Sequence, residues 1–197
     1  MSAVVVPLRR PETLVLDRTD VELLDACAAG DPAALGTIFD RFHEPLYRFV
    51  GRMAGTDPSD VDDLVQSTFL EVYRSAARYS GRASVKSWIF GIAVNLWRHH
   101  VRSEVLRRSA AERLEVLPAR PPTAPDLKVE RTRVLRRLEE GMARLPDDLR
   151  VAYVMCAIEE IPVAEAAEAL GVKQGTLWRR VHEARAALRA LVERSQP

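Results

Sequence analysis

Cysteine is scarce: Cys27 and Cys156 are the only two in 197 residues, with no CxxC pair or clustered histidines beside them. Neither a disulfide framework nor a zinc site can be built from them, and both read as small, buried hydrophobes. Long apolar runs are missing too. Nothing approaches the roughly 18 residues of a membrane helix, and the Ala3-Val4-Val5-Val6 patch is too short for a signal-peptide core. No membrane insertion and a cytoplasmic setting are therefore expected. Strand alternation and hairpin dipeptides do not occur in any sustained form. No nucleophile-base grouping, phosphate loop or HExxH stands out, so neither an enzyme nor a cofactor site has positive support. What the chain does have is 47% hydrophobic and 29% charged residues, which suits one mid-sized globular domain or two small ones and excludes a disordered chain.

The formal charge is only +1, from 29 Lys+Arg against 28 Asp+Glu, but it is unevenly spread. Residues 57–71 carry five acids (Asp57, Asp60, Asp62, Asp63, Glu71) and no base. Residues 82–108 carry six bases (Arg82, Lys86, Arg98, Arg102, Arg107, Arg108) against Glu104. Residues 173–194 carry six more (Lys173, Arg179, Arg180, Arg185, Arg189, Arg194) against Glu183 and Glu193. Two basic segments thus flank an acidic one, implying separate surfaces for anionic and cationic partners. Asp60, Asp62 and Asp63 lie in the first turn of an expected helix, where the macrodipole favours acids, so they read as a protein-facing surface rather than a metal site.

Apolar residues recur at helical spacing nearly throughout, predicting an all-α protein. A short helix at about 21–29 ends at Gly30-Asp31-Pro32. A second carries the stripe Leu35, Ile38, Phe39, Phe42, Leu46, Phe49, Val50 and Met53, with Pro45 inside it as a site for a kink or break. Asp57-Pro58 is a cap and first-turn proline for a third, marked by Val61, Leu64, Val65, Phe69, Val72, Tyr73 and Ala76. Ser84 is placed to cap a fourth, striped by Val85, Trp88, Ile89, Ile92, Ala93 and Leu96 and running to about Arg102. Trp97 falls off that stripe and is expected at least partly exposed. A Pro-rich stretch at 103–128 reads as a linker, after which helical pattern resumes. The organisation is a flexible segment 1–19, a domain 20–102, the linker 103–128 and a domain 129–197.

The last domain has the layout of a helix-turn-helix: a short Ala-rich helix, a turn at Gly171, then a helix striped by Leu177, Val181, Ala184, Leu188 and Leu191. Gly175, Trp178, Arg179, His182, Glu183 and Arg189 point away from that stripe. A basic, aromatic-containing helix face fits the DNA major groove; the same pattern also suits a solvated face on an ordinary helical hairpin. In the helix after Ser84, the positions Gly91, Asn95, Arg98 and Arg102 fall in a sector about 60° wide beside Trp88. Amide, guanidinium and indole groups together suit unstacked bases and the phosphates of a single strand, although Trp88 taken alone reads as core.

These segments together resemble the extracytoplasmic-function (ECF) group of bacterial sigma factors. Asp62-Asp63-Leu64-Val65-Gln66-Ser67-Thr68-Phe69-Leu70 is similar to the family's acidic DLVQ-x-x-F helix, and Ser87-Trp88-Ile89-Phe90-Gly91-Ile92-Ala93-Val94-Asn95 to its TWLYRIAxN segment. Leu145-Pro146, Ala164 to Val172 and Gly175 to Arg185 resemble its LP…AEIAEILGV…GTVKSRLHRAR domain. The resemblance implies a promoter-specificity subunit: two DNA-reading domains joined by a linker, presented by core RNA polymerase, with clamp and flap as docking sites and an anti-sigma factor as a further partner. It implies a clamp-binding surface of Asp60, Asp62, Asp63, Leu64, Gln66, Phe69 and Leu70. It implies a minus-10 surface of Ser80, Gly81, Arg82, Ser84, Trp88, Asn95, Arg98, His99 and Arg102, with Asn95 at the pocket for a flipped base. Lys173, Gln174, Gly175, Thr176, Trp178, Arg179, Arg180, His182 and Arg185 would read the minus-35 element. The chain departs from the family pattern at Trp178 and Glu183, at Lys173 in place of a capping Ser or Asp, and at Gly91 in place of arginine. The competing reading is a stand-alone helix-turn-helix regulator, which has no use for a clamp site or a single-strand pocket.

Overall fold

The computed structural model describes residues 18–54, 58–111 and 140–193, and every regular element among them is helical. In order these are α1 (Asp20–Ala28), α2 (Pro32–Ala54), α3 (Pro58–Ser75), a 3-10 turn (Ala76–Arg78), α4 (Val85–Ala111), helical residues 140–144 (α5), α6 (Asp147–Tyr153), a π turn (Val154–Ile158), α7 (Val163–Leu170) and α8 (Gln174–Glu193). The segment before residue 18, the Asp57 cap and linker positions 112–128 lie outside the described residues.

Local chemistry sets the helix ends. Thr19 and Glu22 close a capping box at α1: the Thr19 N–H donates to the Glu22 carboxylate at 2.6 Å, and Thr19 Oγ1 accepts from the Glu22 N–H at 3.3 Å. Asp31 Oδ1 accepts from the Ala33 N–H at 2.9 Å, so the Gly30-Asp31-Pro32 break that stops α1 also starts α2. Ser84 Oγ accepts from the Ser87 N–H at 3.3 Å and caps α4.

Two expectations need correction. Pro45 does not split its helix; α2 runs unbroken past it. A mid-helix proline costs about 3 kcal/mol. Full burial of Leu46, Phe49, Val50 and Met53 after it, at about 1.5–3 kcal/mol each, outweighs that cost. The fourth helix continues to Ala111, past the expected end at Arg102, because 103–111 is rich in helix-forming residues and holds neither glycine nor proline.

Helices α1 to α4 enclose a core of Leu23, Leu24, Ile38, Phe49, Val65, Val72, Ile89 and Phe90, with the Phe49 and Phe90 rings stacked at 4.3 Å. The buried hydroxyls of Thr68 and Ser75 donate to the carbonyls of Leu64 and Glu71 one turn back. The second domain closes on Val151, Val154, Met155, Ile161, Ala167, Leu177, Val181 and Ala184. Gly171, at φ 64°, supplies the left-handed turn between α7 and α8, with the Val172 N–H donating to the Ala167 carbonyl.

The two domains pack together, with α7 lying on α4. Gly91 makes the approach possible: a Cβ there would lie 2.5 Å from the Ala169 carbonyl oxygen. After the π turn, Glu160 adopts a left-handed φ of 55°, and the bend delivers Glu159 to the first domain. The Glu159 side chain, only 11% exposed, meets Arg52 at 2.8 Å and Lys86 at 3.1 Å.

Candidate nucleic-acid and polymerase interfaces

Helix α8 presents the two faces expected of it. Leu177, Val181, Ala184 and Leu188 are buried, while Gly175, Trp178, Arg179, His182, Glu183 and Arg189 are exposed. Trp178 is 59% exposed, and its ring lies 3.9 Å from that of His182 one turn on. Arg179 donates to Glu183 at 2.7 Å, so the acid that departs from the family pattern holds the neighbouring guanidinium along the helix. Lys173, Gln174 and Arg185 are exposed and Thr176 half-buried. The Lys173 carbonyl accepts from the N–H groups of Thr176 and Leu177, starting the helix through backbone. Arg180 is turned inward: it donates to Asp148 of α6 at 2.5 Å.

On α3, Asp62, Asp63, Gln66 and Leu70 are exposed, and the helical period puts them within an arc of about 100°. Asp60 is half-buried, 4.0 Å from His100 of α4. Leu64 and Phe69, placed on the same surface by the resemblance, are 6% and 4% exposed and belong to the core. The reason is their spacing, since both continue the apolar stripe of Val61, Val65 and Val72. Sequence reasoning missed Phe39, a stripe residue expected inside. It is 39% exposed, its ring 4.9 Å from Phe69 and 4.6 Å from His43. Phe39 and Leu70 are therefore large apolar groups at the surface of the first domain.

The residues assigned to minus-10 recognition fall into two sets. Ser80, Gly81 and Arg82 form the exposed loop into α4, with Gly81 at φ 72°, and Asn95, His99 and Arg102 are exposed along α4. Trp88 is half-buried at the core edge, its ring 5.4 Å from Tyr79, whose hydroxyl donates to the Ala83 carbonyl and braces the loop. The others meet the second domain. The Ser84 N–H donates to the Glu165 carboxylate at 3.0 Å and the Ser87 hydroxyl to the same oxygen at 2.9 Å. Hydrogen bonds from Ser84, side chain first and then backbone, and from Ser87 hold the Glu165 carboxyl below its ordinary range. Arg98 donates to Asp148 at 2.8 Å, so one carboxylate joins α4 to Arg180 of α8. Arg82 reaches Glu168 at 3.4 Å. Trp97, expected to be partly exposed, is 3% exposed, with the Arg150 guanidinium 5.4 Å from its ring centroid. The expected stripe is itself displaced: Trp97 shares a buried face of α4 with Phe90, Ala93 and Val94, whereas Trp88, Ile92 and Leu96 are only half-buried.

Both domains have known relatives. Residues 38–107 match the family described as Sigma-70 region 2, and residues 135–188 match Sigma-70, region 4. The ECF RNA polymerase sigma factor SigM of Mycobacterium tuberculosis is 33% identical over 176 residues, covering 89% of this chain and 86% of the relative. Among solved structures, CnrH in complex with the cytosolic domain of CnrY is 25% identical with a TM-score of 0.66, covering 90% of this chain and 99% of that one. The fold is also that of RpoE from Bartonella quintana, solved with the anti-sigma factor NepR (TM-score 0.64, 18% identity, 82% of this chain and 98% of that one). The chain belongs to the ECF RNA polymerase sigma factors, the subunits that direct promoter-specific initiation of transcription.

Proposed function

We propose that the acidic face of α3 docks on core RNA polymerase, that α8 reads the minus-35 element as duplex, and that the 80–84 loop with the outer face of α4 captures minus-10 bases as unpaired strand. The observation that carries this reading is the pairing of opposite surfaces on separate domains. Asp62, Asp63, Gln66 and Leu70 form an exposed acidic and apolar face, whereas Trp178, Arg179, His182, Arg185 and Arg189 form an exposed basic and aromatic one. A carboxylate face suits a cationic partner helix and repels DNA, so the first domain needs polymerase to bring it to the promoter. Helix α8 rests on Leu177 and Val181 with its outer face free of the domain, as major-groove entry demands.

Within α4, Asn95 combines a donor and an acceptor on an exposed position, which is what a flipped base edge requires. The protein performs no covalent chemistry of its own and works in the cytoplasm with the polymerase. Its partners are core polymerase at clamp and flap, promoter DNA and an anti-sigma factor, the last supported by the inhibitor bound to the Bartonella protein.

The test separates the two DNA roles. Asn95→Ala should weaken open-complex formation, read by permanganate reactivity of minus-10 thymines, while leaving core binding intact. Equal loss of both, or of neither, sinks the assignment.

A further inference from the structure

The outer face of α8 carries a large apolar group that the core of the domain does not use. Trp178 is the fifth residue of the helix and 59% exposed, leaving on the order of 100 Å² of indole in water. Its ring lies against that of His182, also exposed, at 3.9 Å. Gly175 sits on the same ridge one turn earlier. A Cβ there would meet no neighbour within 4 Å, so packing does not demand glycine at this position. Arg179 is paired with Glu183, which lies about 140° round the helix from Trp178, and the pair draws the guanidinium away from the indole.

An aromatic ring near the start of a duplex-reading helix has few chemical partners. Paired bases keep their faces stacked inside the duplex, so stacking on them is closed to it. The base edges of the major groove present hydrogen-bond donors and acceptors, with one apolar exception, the 5-methyl group of thymine. We propose that Trp178, braced by His182, is a specificity-determining residue of the minus-35 contact, and that its indole reads the 5-methyl group of a thymine. This rests on the minus-35 reading of α8 given above. Charge complementarity favours the same occupant: Lys173, Arg185 and Arg189 are exposed along the same face to hold phosphates, and Gly175 leaves the groove edge room to approach. The indole then supplies selectivity that salt does not screen, where a lysine or arginine would supply affinity that salt does screen.

The test uses holoenzyme and duplex DNA carrying a minus-35 element selected by the parent protein from a randomised pool. Each thymine of the element is replaced in turn by deoxyuracil, which keeps the base pair and removes only the methyl group. Parent, Trp178→Ala, Trp178→Phe and His182→Ala are compared at several salt concentrations, beside the double variant Arg179→Ala/Arg185→Ala. All the substitutions fall at exposed positions and leave the core intact.

At one position the parent should bind thymine about fourfold better than uracil, the effect of taking one methyl group out of water. Trp178→Ala should bring that ratio to one, with the salt dependence of binding unchanged. Trp178→Phe should keep a ratio above one, and His182→Ala should fall between parent and Trp178→Ala; the parent ratio in His182→Ala overturns the brace. Equal loss of affinity for thymine and uracil in Trp178→Ala overturns the proposal, as does an element with no thymine whose methyl group matters. Loss of core binding also overturns it, since the indole is then a polymerase contact. The double variant judges the α8 reading separately, and should lower affinity and flatten the salt dependence. If it changes nothing at the minus-35 element, that reading has failed. If it weakens binding while Trp178→Ala keeps the full ratio, only the thymine contact has failed.

Discussion

Phe69 and Leu70 are chemical near-equivalents at consecutive positions of α3, yet one is 4% and the other 53% exposed. Truncating each should therefore damage a different property. Fully burying a leucine side chain contributes about 1.5–3 kcal/mol. With roughly half of Leu70 still in water, docking on polymerase has up to about 0.8–1.6 kcal/mol left to gain there. Leu70→Ala should accordingly raise the dissociation constant for core polymerase by up to about 4- to 15-fold, with little change in melting temperature. Phe69→Ala leaves a cavity under Phe39 and should cost about 3–5 kcal/mol of domain stability. Competition binding to purified core polymerase, run beside thermal unfolding of the free chain, reads both quantities. If Leu70→Ala binds core like the parent while Phe69→Ala, still folded at the assay temperature, binds worse, the exposed face of α3 is not the docking surface.

Other consequences can be checked with equal directness. Arg179→Ala should lower transcription mainly at promoters with a defined minus-35 element. Glu183→Ala frees Arg179 from an exposed pair worth about 0.3–0.5 kcal/mol, and should shift base preference near that residue, read by selection from a randomised minus-35 pool. Leu177→Ala should destabilise the second domain by about 2–5 kcal/mol and abolish duplex binding at temperatures where the first domain remains folded. The Glu165 carboxyl has its pKa lowered in the packed form, so its contribution is complete above the ordinary value of 4.5 and is lost as pH falls below it; domain separation on acidification should start there and be blunted in Glu165→Gln. Burial pushes the Cys156 thiol up to about 11, so alkylation at pH 8 should be much slower than for a free thiol, and Cys27, also raised by burial, should share this.

Periodicity made the all-α architecture and the two faces of α8 legible, because a helix that packs on one side writes its stripe into the sequence. The period also put Leu64 and Phe69 in the inward stripe of α3, where they are buried; it was the motif resemblance that carried them to the clamp surface, because a motif does not say which of its residues face the partner. Phe39 erred in the other direction, since an apolar residue on the stripe's edge satisfies the pattern whether buried or not. Gly91 and Glu159 were illegible for a different reason. Their roles depend on a contact between segments separated by the linker, and no local period records which face of one domain meets which face of the other. Gly91 read as a member of the polar sector and as a missing arginine. Its meaning is the close approach of Ala169.

The central claim is that this chain confers promoter choice on core polymerase, and transcription by purified bacterial core enzyme on fragmented genomic DNA, with and without the protein, tests it most directly. Sequenced transcripts should show discrete new starts sharing two upstream elements, one at minus-35 and one at minus-10. No new starts, with specific duplex binding by the protein alone, would contradict the claim and point to a stand-alone helix-turn-helix regulator.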